Sequence, residues 1–425
     1  MLRPLTDNPV ASLDADAFGF RPYIEELNAA ILAAEPLPIT VGVFGPWGAG
    51  KSTFMRIWEN LLSFAPTTRT LWFNPWKYDQ KIQVWAALIQ SLLAEIGLNT
   101  ELADRVRKLA RTATWLGLRS SLGIAATAAT GGIVGAPVLD NIVNRLADED
   151  SKEYREINRF ETDFAEAVEN FVGDNGRLVV FVDDLDRCTP AAALSVLEAL
   201  KLFLGDARCV FVLAMDFDVL ARIASAGFPD QVVSGAAYIE KIVQLPFFLP
   251  EVGFDSIREL VAPHLGSLAT NEAFWDLVQI GFGTNPRRVK RFVNVLNLAV
   301  AVASRERVER GLPSLRSERL LQLAELLIIR SEHRDFFNHL LTDPGAWRRL
   351  EASPAITQSH SDPTATAIHT DRERDPRLVP FLADLPLVRL LSTRPGSPSD
   401  HPSAPNAEEV IRMLRTVRLA TGPDG

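Results

Sequence analysis

The feature that most constrains this chain is the segment GPWGAGKS at residues 45–52, which fits the pattern G-x-x-x-x-G-K-[ST]. It follows an apolar run, Ile39 to Phe44, that suits a buried strand, and it precedes a helical pattern beginning near Lys51. Glycines in such a segment let several backbone N–H groups converge on one anion, and the helix N-terminus adds the positive end of its dipole. The segment therefore predicts a phosphate-binding loop between a strand and a helix.

Three side chains at the end of this loop have predicted roles. Lys51 should reach the β- and γ-phosphates of a nucleoside triphosphate, the Ser52 hydroxyl should ligate Mg²⁺, and Thr53 should contact the α-phosphate. No base-reading motif separates ATP from GTP. The predicted nucleotide-binding residues are Gly45, Pro46, Trp47, Gly48, Ala49, Gly50, Lys51, Ser52 and Thr53.

Two carboxylates follow the second strongly apolar run, Leu178 to Val182. A carboxylate at the end of a buried strand is costly unless it is solvated, paired or bound to a metal. Beside a phosphate-binding loop, Asp183 is predicted to hold Mg²⁺ through water, and Asp184 to orient or deprotonate the attacking water. The alternative is that one of them caps the following turn. Asp186 and Arg187 come next, and their role stays open.

The coarse pattern is that of a doubly wound α/β sheet followed by helices. Further strands are predicted at Arg69 to Phe73, Arg208 to Ala214 and Ile242 to Phe247, with helical patterns between them. We expect a core over residues 1–250 with an insertion at about 97–156. A helical domain over 251–345 and a largely flexible, Pro- and Ser-rich tail over 346–425 should follow.

The net charge, the cysteines and two segments of the sequence indicate in which compartment the protein acts and which ligands it is unsuited to bind. The formal charge of −9 disfavours a dominant nucleic-acid surface, and the two cysteines have no metal-ligand companions at the usual spacing. Residues 1–30 lack a secretory signal, so we expect a cytoplasmic protein. Residues 120–139 carry no charge, which leaves three alternatives: a soluble insertion, a helix that contacts a membrane surface peripherally, or a re-entrant hairpin.

Several blocks in this order resemble the KAP family of P-loop NTPases. The resemblance covers about residues 20–300, and the blocks are specific as a set rather than singly. They are GPWGAGKSTF at 45–54, FNPW at 73–76, DDLDRC at 183–188, VLAMD at 212–216, YIEKIVQLPF at 238–247 and NPRRVKRFVN at 285–294.

The resemblance implies a P-loop core with an additional strand, as in AAA+ and signal-transduction (STAND) ATPases, a C-terminal helical domain, and ATP as the nucleotide. It also implies bacterial relatives linked to phage exclusion, and relatives with transmembrane helices between the two nucleotide motifs. This chain departs from that membrane pattern, because its insertion has one weak apolar stretch instead of paired spans.

Two more residues have predicted catalytic or sensing roles. Asp216 follows the strand beside the acidic one and could sense the γ-phosphate or position water; the alternative is a turn residue that ends the strand. Arg287 begins a predicted helix and could reach the phosphates from the helical domain; the alternative is a solvated basic face or a patch for a polyanionic partner.

Two functions fit these observations. The first is a regulatory ATPase whose turnover drives assembly or conformational signalling with itself or a protein partner, in phage defence or a membrane-associated complex. The second is a nucleotide-dependent binding module with negligible hydrolysis. A small-molecule kinase has no sequence support. A nucleic-acid motor is an alternative that the negative charge and the lack of an aromatic-basic groove disfavour, and no specific nucleic acid is predicted.

Overall fold

The computed structural model describes residues 4–78, 84–97, 162–202, 207–227, 235–353, 375–392 and 404–422. The chain forms two compact units, residues 9–250 and residues 1–8 with 251–425. Nearly all of the predicted insertion, including the uncharged stretch 120–139, lies outside the described residues. Within the described ranges, no helix combines the length and the apolar character needed to cross a membrane.

A five-stranded parallel sheet forms the centre of unit 9–250. Its strands pair in the order β2-β3-β4-β1-β5, with Phe44 of β1 opposite Met215 of β4 and Val182 of β3 opposite Leu213 of β4. The strands are β1 Ile39–Phe44, β2 Thr68–Phe73, β3 Arg177–Val182, β4 Cys209–Met215 and β5 Leu245–Phe248.

Strand β4 lies between the strand that leads into the phosphate-binding loop and the strand that ends in the acidic pair. This is the additional-strand order, so the predicted fold class is confirmed. Because all five strands are parallel, their carboxyl ends share one edge of the sheet, where ligands of open α/β folds bind. The topology thus brings the loop after β1 and the acidic residues after β3 to one edge.

Both faces of this sheet are covered, which explains the continuous apolar runs. On one face Trp58 of the helix after the loop meets Phe181 with ring centroids 5.9 Å apart. On the other face Val180 and Phe211 join a core with Leu88, Phe164 and Leu197 from three helices. The described helices of this unit are Arg21–Ala33, Lys51–Leu62, Val84–Gly97, 162–172, Pro190–Leu202, Phe217–Gly227 and Gly235–Glu240.

The last strand begins later than the sequence predicts. Ile242 donates its backbone N–H to the Ile239 carbonyl at 2.9 Å, within a turn that follows helix Gly235–Glu240. That donor is therefore lost to the ladder, and pairing with β1 starts at Leu245 opposite Val41. Ile242 is nevertheless buried, which is why its apolar character resembles that of a strand residue.

The second unit is helical, as predicted for residues 251–345. Its longest helix buries Val289, Phe292, Val293 and Leu296 at helical spacing. The helices up to residue 345 are Phe254–Val261, Glu272–Phe282, Pro286–Glu309, Ser317–Glu332 and Arg334–Thr342.

The prediction of a largely flexible tail over 346–425 is wrong for the segments that the structure describes. The last helix buries Val410, Leu414 and Val417 and packs against helix Pro286–Glu309, and a capping box closes its start. The segments between these short helices are rich in Pro, Ser, Thr and Asp, which obscures the apolar faces of the helices in the sequence. Residues 354–374 and 393–403 of the tail lie outside the described part. The helices are Ala346–Glu351, Val379–Leu382, Leu385–Ser392 and Ala407–Thr421.

Candidate nucleotide-binding site

The loop between β1 and helix Lys51–Leu62 has the backbone that anion binding requires. Gly48 and Gly50 have φ values of +91° and +102°, in the region that side chains with a Cβ avoid. A Cβ on Gly50 would also lie 3.2 Å from the ring of Phe20. Helix Lys51–Leu62 begins directly after Gly50, so its first N–H groups belong to the same loop.

We expect Gly50→Ala to lower the free energy of unfolding by about 1–2 kcal/mol, because the new Cβ is strained at this φ and crowds Phe20. It should also weaken ATP binding, since relief of that strain moves the loop amides. Urea unfolding measures the first effect, and calorimetric titration the second. Gly253→Ala is the matched control, because Gly253 has φ −60° and open space around its Cβ position. Equal stability of the two variants contradicts the assignment of strain to Gly50.

Lys51 folds back across the loop instead of pointing into solvent. Its Nζ donates to the Gly45 carbonyl at 2.8 Å and to the Pro46 carbonyl at 3.3 Å, and it lies 3.3 Å from Oδ2 of Asp186. The residue is 8% exposed. An ammonium group held at this depth beside the loop amides is placed to meet an anion that enters the loop.

Asp183 lies next to Ser52, as a shared metal site requires. The Ser52 hydroxyl lies close enough to the buried Asp183 carboxylate to affect its pKa, and Oδ1 of Asp183 accepts a hydrogen bond from the Asp184 backbone N–H at 2.9 Å. Burial raises the pKa of Asp183, and the nearby Asp184 charge raises it further, against the opposing effect of the Ser52 hydroxyl. The folded protein therefore bears a cost for ionising Asp183, which a bound cation would offset.

This raised pKa makes the stability of the nucleotide-free protein depend on pH. A carboxyl with a raised folded pKa favours folding while it is protonated, and this contribution is lost as the pH rises through the folded pKa. An asparagine side chain at this position has no proton to lose. We therefore expect Asp183→Asn to gain stability over wild type as the pH rises from about 4 to about 8.

Urea unfolding across that pH range measures the difference between Asp183→Asn and wild type. Exposed Asp174 precedes the same strand, and Asp174→Asn should show no such rise. A difference that stays constant with pH, or that falls, would show that burial does not disfavour the Asp183 charge.

Asp184 takes a left-handed backbone conformation, with φ +60°, and both its carboxylate oxygens are held. Oδ1 pairs with the Arg187 guanidinium at 2.7 Å, and Oδ2 accepts from Asn74 Nδ2 at 2.8 Å. Asn74 Oδ1 is itself buried and accepts no hydrogen bond from any described residue. An unused acceptor next to a carboxylate is the arrangement that would hold a water molecule between them.

Sequence reasoning left three of these contacts unassigned: Asp186 with Lys51, Arg187 with Asp184, and Asn74 with Asp184. Asp186 and Arg187 do not pair with each other; each reaches a different predicted site residue. Strand pairing was the missing signal for Asn74, because Phe73 lies opposite Val182 and Asn74 therefore lies beside the acidic pair.

Asp216 follows β4 at the same sheet edge and caps the next helix. Its Oδ1 accepts from the N–H groups of Asp218 at 3.1 Å and Val219 at 3.3 Å. This contact matches the turn interpretation, and a sensing role for Asp216 stays a prediction. Arg287 belongs to the other unit, at the start of helix Pro286–Glu309, where it pairs with Asp7 at 3.5 Å. Its reach to the phosphates likewise stays a prediction.

A model of a known protein family matches the part of the sequence that contains this site. The sequence profile described as "KAP family P-loop domain" matches residues 20–303, two thirds of the chain, and includes the loop, both carboxylates, Asp216 and Arg287. The chain belongs to the KAP family. Its resemblance to that family, drawn from the sequence blocks, is thereby confirmed.

The individual relatives are distant. The human Kinase D-interacting substrate of 220 kDa is 23% identical over 131 residues, which are 29% of this chain and 7% of that protein. The rat protein of the same name is 25% identical over 101 residues, 23% of this chain and 6% of that protein. The chain thus spans less than a tenth of these relatives. A protein of Methanocaldococcus jannaschii is 24% identical over 158 residues, 31% of this chain and 81% of its own length.

Solved structures give weaker similarity. The Aeropyrum pernix ORC2 protein, in its ADPNP–ADP complexes, is 15% identical with a TM-score of 0.38, and covers 98% of this chain and 96% of its own. A Walker-type ATPase of Pyrococcus abyssi is 11% identical with a TM-score of 0.35, and covers 97% and 99%. The fold assignment rests on the profile match and on the strand order.

The chemistry of the site suits a triphosphate with Mg²⁺. The Ser52 hydroxyl and the Asp183 carboxylate are oxygen ligands of the kind that Mg²⁺ prefers, and they lie close to each other. Gly48 and Gly50 supply the backbone conformations that a phosphate cradle needs. The residues of this KAP site thus fit both groups.

Proposed function

We propose that this chain is a Mg²⁺-dependent ATPase of the KAP family, in which ATP turnover acts as a regulatory or assembly switch. The observation that carries the proposal is the proximity of Ser52 to Asp183, next to the Lys51–Asp186 pair. These four residues come from two loops that are separated by a whole strand in the sheet. Their meeting at one edge joins the phosphate-binding loop to the acidic strand end, which phosphoryl transfer requires.

Each group has a role that follows from its charge and position. The loop amides and Lys51 bind the phosphates, with Lys51 leaving the Gly45 carbonyl for the β- and γ-oxygens. Ser52 and Asp183 would hold Mg²⁺, which neutralises phosphate charge and so lets a triphosphate approach Asp183, Asp184 and Asp186. Asp184, with the free acceptor of Asn74 beside it, orients the attacking water and takes its proton. Asp216 and Arg287 are proposed to report the γ-phosphate.

A second function is favoured by the two contacts that hold Asp184. With Oδ1 on Arg187 and Oδ2 on Asn74, each carboxylate oxygen keeps a further acceptor site, but in this second function the two contacts direct those sites away from the attacking water unless one contact exchanges. A chain that keeps both contacts in the presence of ATP would bind nucleotide with negligible turnover. This binding module differs from the ATPase only in whether Asp184 is released.

Phosphate release from ATP and Mg²⁺ by the purified full chain separates these functions. The ATPase predicts release that depends on Mg²⁺ and is absent from Lys51→Ala. The mass in solution should also differ among the ATP, ADP and nucleotide-free forms, because the switch is proposed to act through assembly. If the chain binds ATP but releases no phosphate under any assembly condition, the ATPase is excluded and the binding module is the function that remains.

The cellular setting is part of the same proposal. We place the switch in the cytoplasm. Its nucleotide state would be transmitted either to other copies of the same chain, through self-assembly, or to a protein partner. A peripheral membrane contact is proposed because residues 120–139 carry no charge, and a role in bacterial phage defence is proposed from the sequence resemblance. Membrane flotation of the full chain, compared with a variant lacking 120–139, tests the membrane contact.

A further inference from the structure

A cavity lies within the helical unit, and its lining residues are remote in sequence from the phosphate-binding loop. Its volume is about 490 Å³, within the range of small-molecule sites. None of the described residues that line it is acidic. Its cationic members are Arg288, Arg291, Arg330 and Arg334.

Two of these arginines pair with carboxylates, and one of them also lies over an aromatic ring. Arg288 pairs with Glu332 and lies over the Phe282 ring, with its guanidinium carbon 5.4 Å from the ring centroid. Arg291 lies 3.3 Å from the Asp7 carboxylate. Guanidinium groups fixed in this way lose little side-chain entropy when they bind an anion, so they are preorganised.

The floor of the cavity is apolar. Phe282 and Phe292 lie with ring centroids 4.9 Å apart, and Phe337 is fully buried beneath Arg330, 5.6 Å from its guanidinium carbon. Val295 and Leu327 complete this floor, and the hydroxyls of Ser331 and Thr421 also reach the cavity. Inorganic phosphate alone would satisfy the arginines but would make no contact with the apolar floor.

We propose that this cavity binds a nucleotide-class ligand, with its phosphate on the arginines and its base against the apolar floor. Arginine matches phosphate oxygens in bidentate geometry, and its guanidinium plane also stacks on bases. The same chemistry occurs in a free nucleotide and in one unit of a single strand. The volume suits one mononucleotide, which makes the free nucleotide our expected source.

The test uses the full chain carrying Lys51→Ala, so that the phosphate-binding loop does not contribute. The probes are a fluorescent ADP, a short single-stranded oligonucleotide of thymidines, and inorganic phosphate as competitor. The double variant Arg288→Gln with Arg291→Gln should lower the affinity for fluorescent ADP on the order of a hundredfold, because two charge-assisted contacts are lost. Arg305→Gln is the matched control, because Arg305 lies on the same helix, is 84% exposed and does not line the cavity.

Each outcome decides the proposal or its source. If the double variant loses fluorescent ADP binding and Arg305→Gln does not, the site binds a free nucleotide. If the double variant loses only oligonucleotide binding, the site is assigned to a single strand. Phosphate that competes as well as unlabelled ADP overturns the role of the floor. Equal binding of both probes to the double variant and to Arg305→Gln, or no binding to either, overturns the site. Unfolding curves of the two variants confirm that both are folded.

Discussion

Lys51→Ala should lower the affinity for ATP on the order of a hundredfold or more. The ammonium group makes charge-assisted hydrogen bonds, each of which contributes about 1.5–3 kcal/mol, and two of them amount to at least that factor. The loss has a second cause. Asp186 lies 3.3 Å from Lys51 Nζ, and without the ammonium its carboxylate faces the incoming phosphates with its charge uncompensated.

Calorimetric titration of ATP in the presence of Mg²⁺ measures this effect. Lys241→Ala is the matched control, because Lys241 is an exposed lysine of the same unit that follows helix Gly235–Glu240. It should bind ATP like wild type. Because Asp186 contributes to the loss, Lys51→Ala with Asp186→Asn should recover part of the affinity. Unchanged affinity in Lys51→Ala would remove this lysine from the site.

Asp184→Asn should keep ATP bound while phosphate release falls by roughly 10²–10⁴-fold, the range for loss of a general base. The amide retains the shape of the carboxylate but cannot accept the proton of the attacking water. Affinity should change little, because Asp183 and Ser52 hold the metal and Lys51 contacts the phosphates. Single-turnover phosphate release and ATP titration on the same preparation separate the two effects.

Asp174→Asn serves as the control for this variant, since Asp174 is exposed in the turn before β3. If Asp184→Asn and wild type release phosphate at the same measurable rate, Asp184 is not the base. If neither releases phosphate although both bind ATP, the chain is the nucleotide-binding module whose Asp184 stays on Arg187 and Asn74.

The sequence predicts most of this site because its residues follow strands directly. In a parallel sheet with the additional-strand order, the residues after β1, β3 and β4 meet at one edge, so the positions of Asp183 and Asp216 follow from strand boundaries, and that of Ser52 follows from the G-x-x-x-x-G-K-[ST] pattern after β1. Contacts that depend on side-chain direction do not follow in this way. Lys51 could turn towards solvent or towards Gly45, and only the folded loop brings it to Asp186.

The C-terminal tail shows where prediction from the sequence fails. The stripe Val410, Leu414 and Val417 has helical spacing, and Asn406 with Glu409 forms a capping box, yet the preceding segment, residues 393–405, is rich in Pro and Ser. Whether such a short helix is ordered depends on a partner surface, because helices of this length are marginal alone. Helix Pro286–Glu309 supplies that surface from about a hundred residues earlier, where local patterns carry no information on it.

The dependence of ATP affinity on Mg²⁺ tests most directly whether the phosphate-binding loop and the acidic strand end form one site. ATP is titrated with Mg²⁺ and with a chelator into wild type, Ser52→Ala, Asp183→Asn and the control Asp174→Asn. We predict that Mg²⁺ strengthens binding to wild type and to the control, and that this gain is largely lost in both Ser52→Ala and Asp183→Asn. A gain of wild-type size in Asp183→Asn would contradict a metal site shared between Ser52 and Asp183.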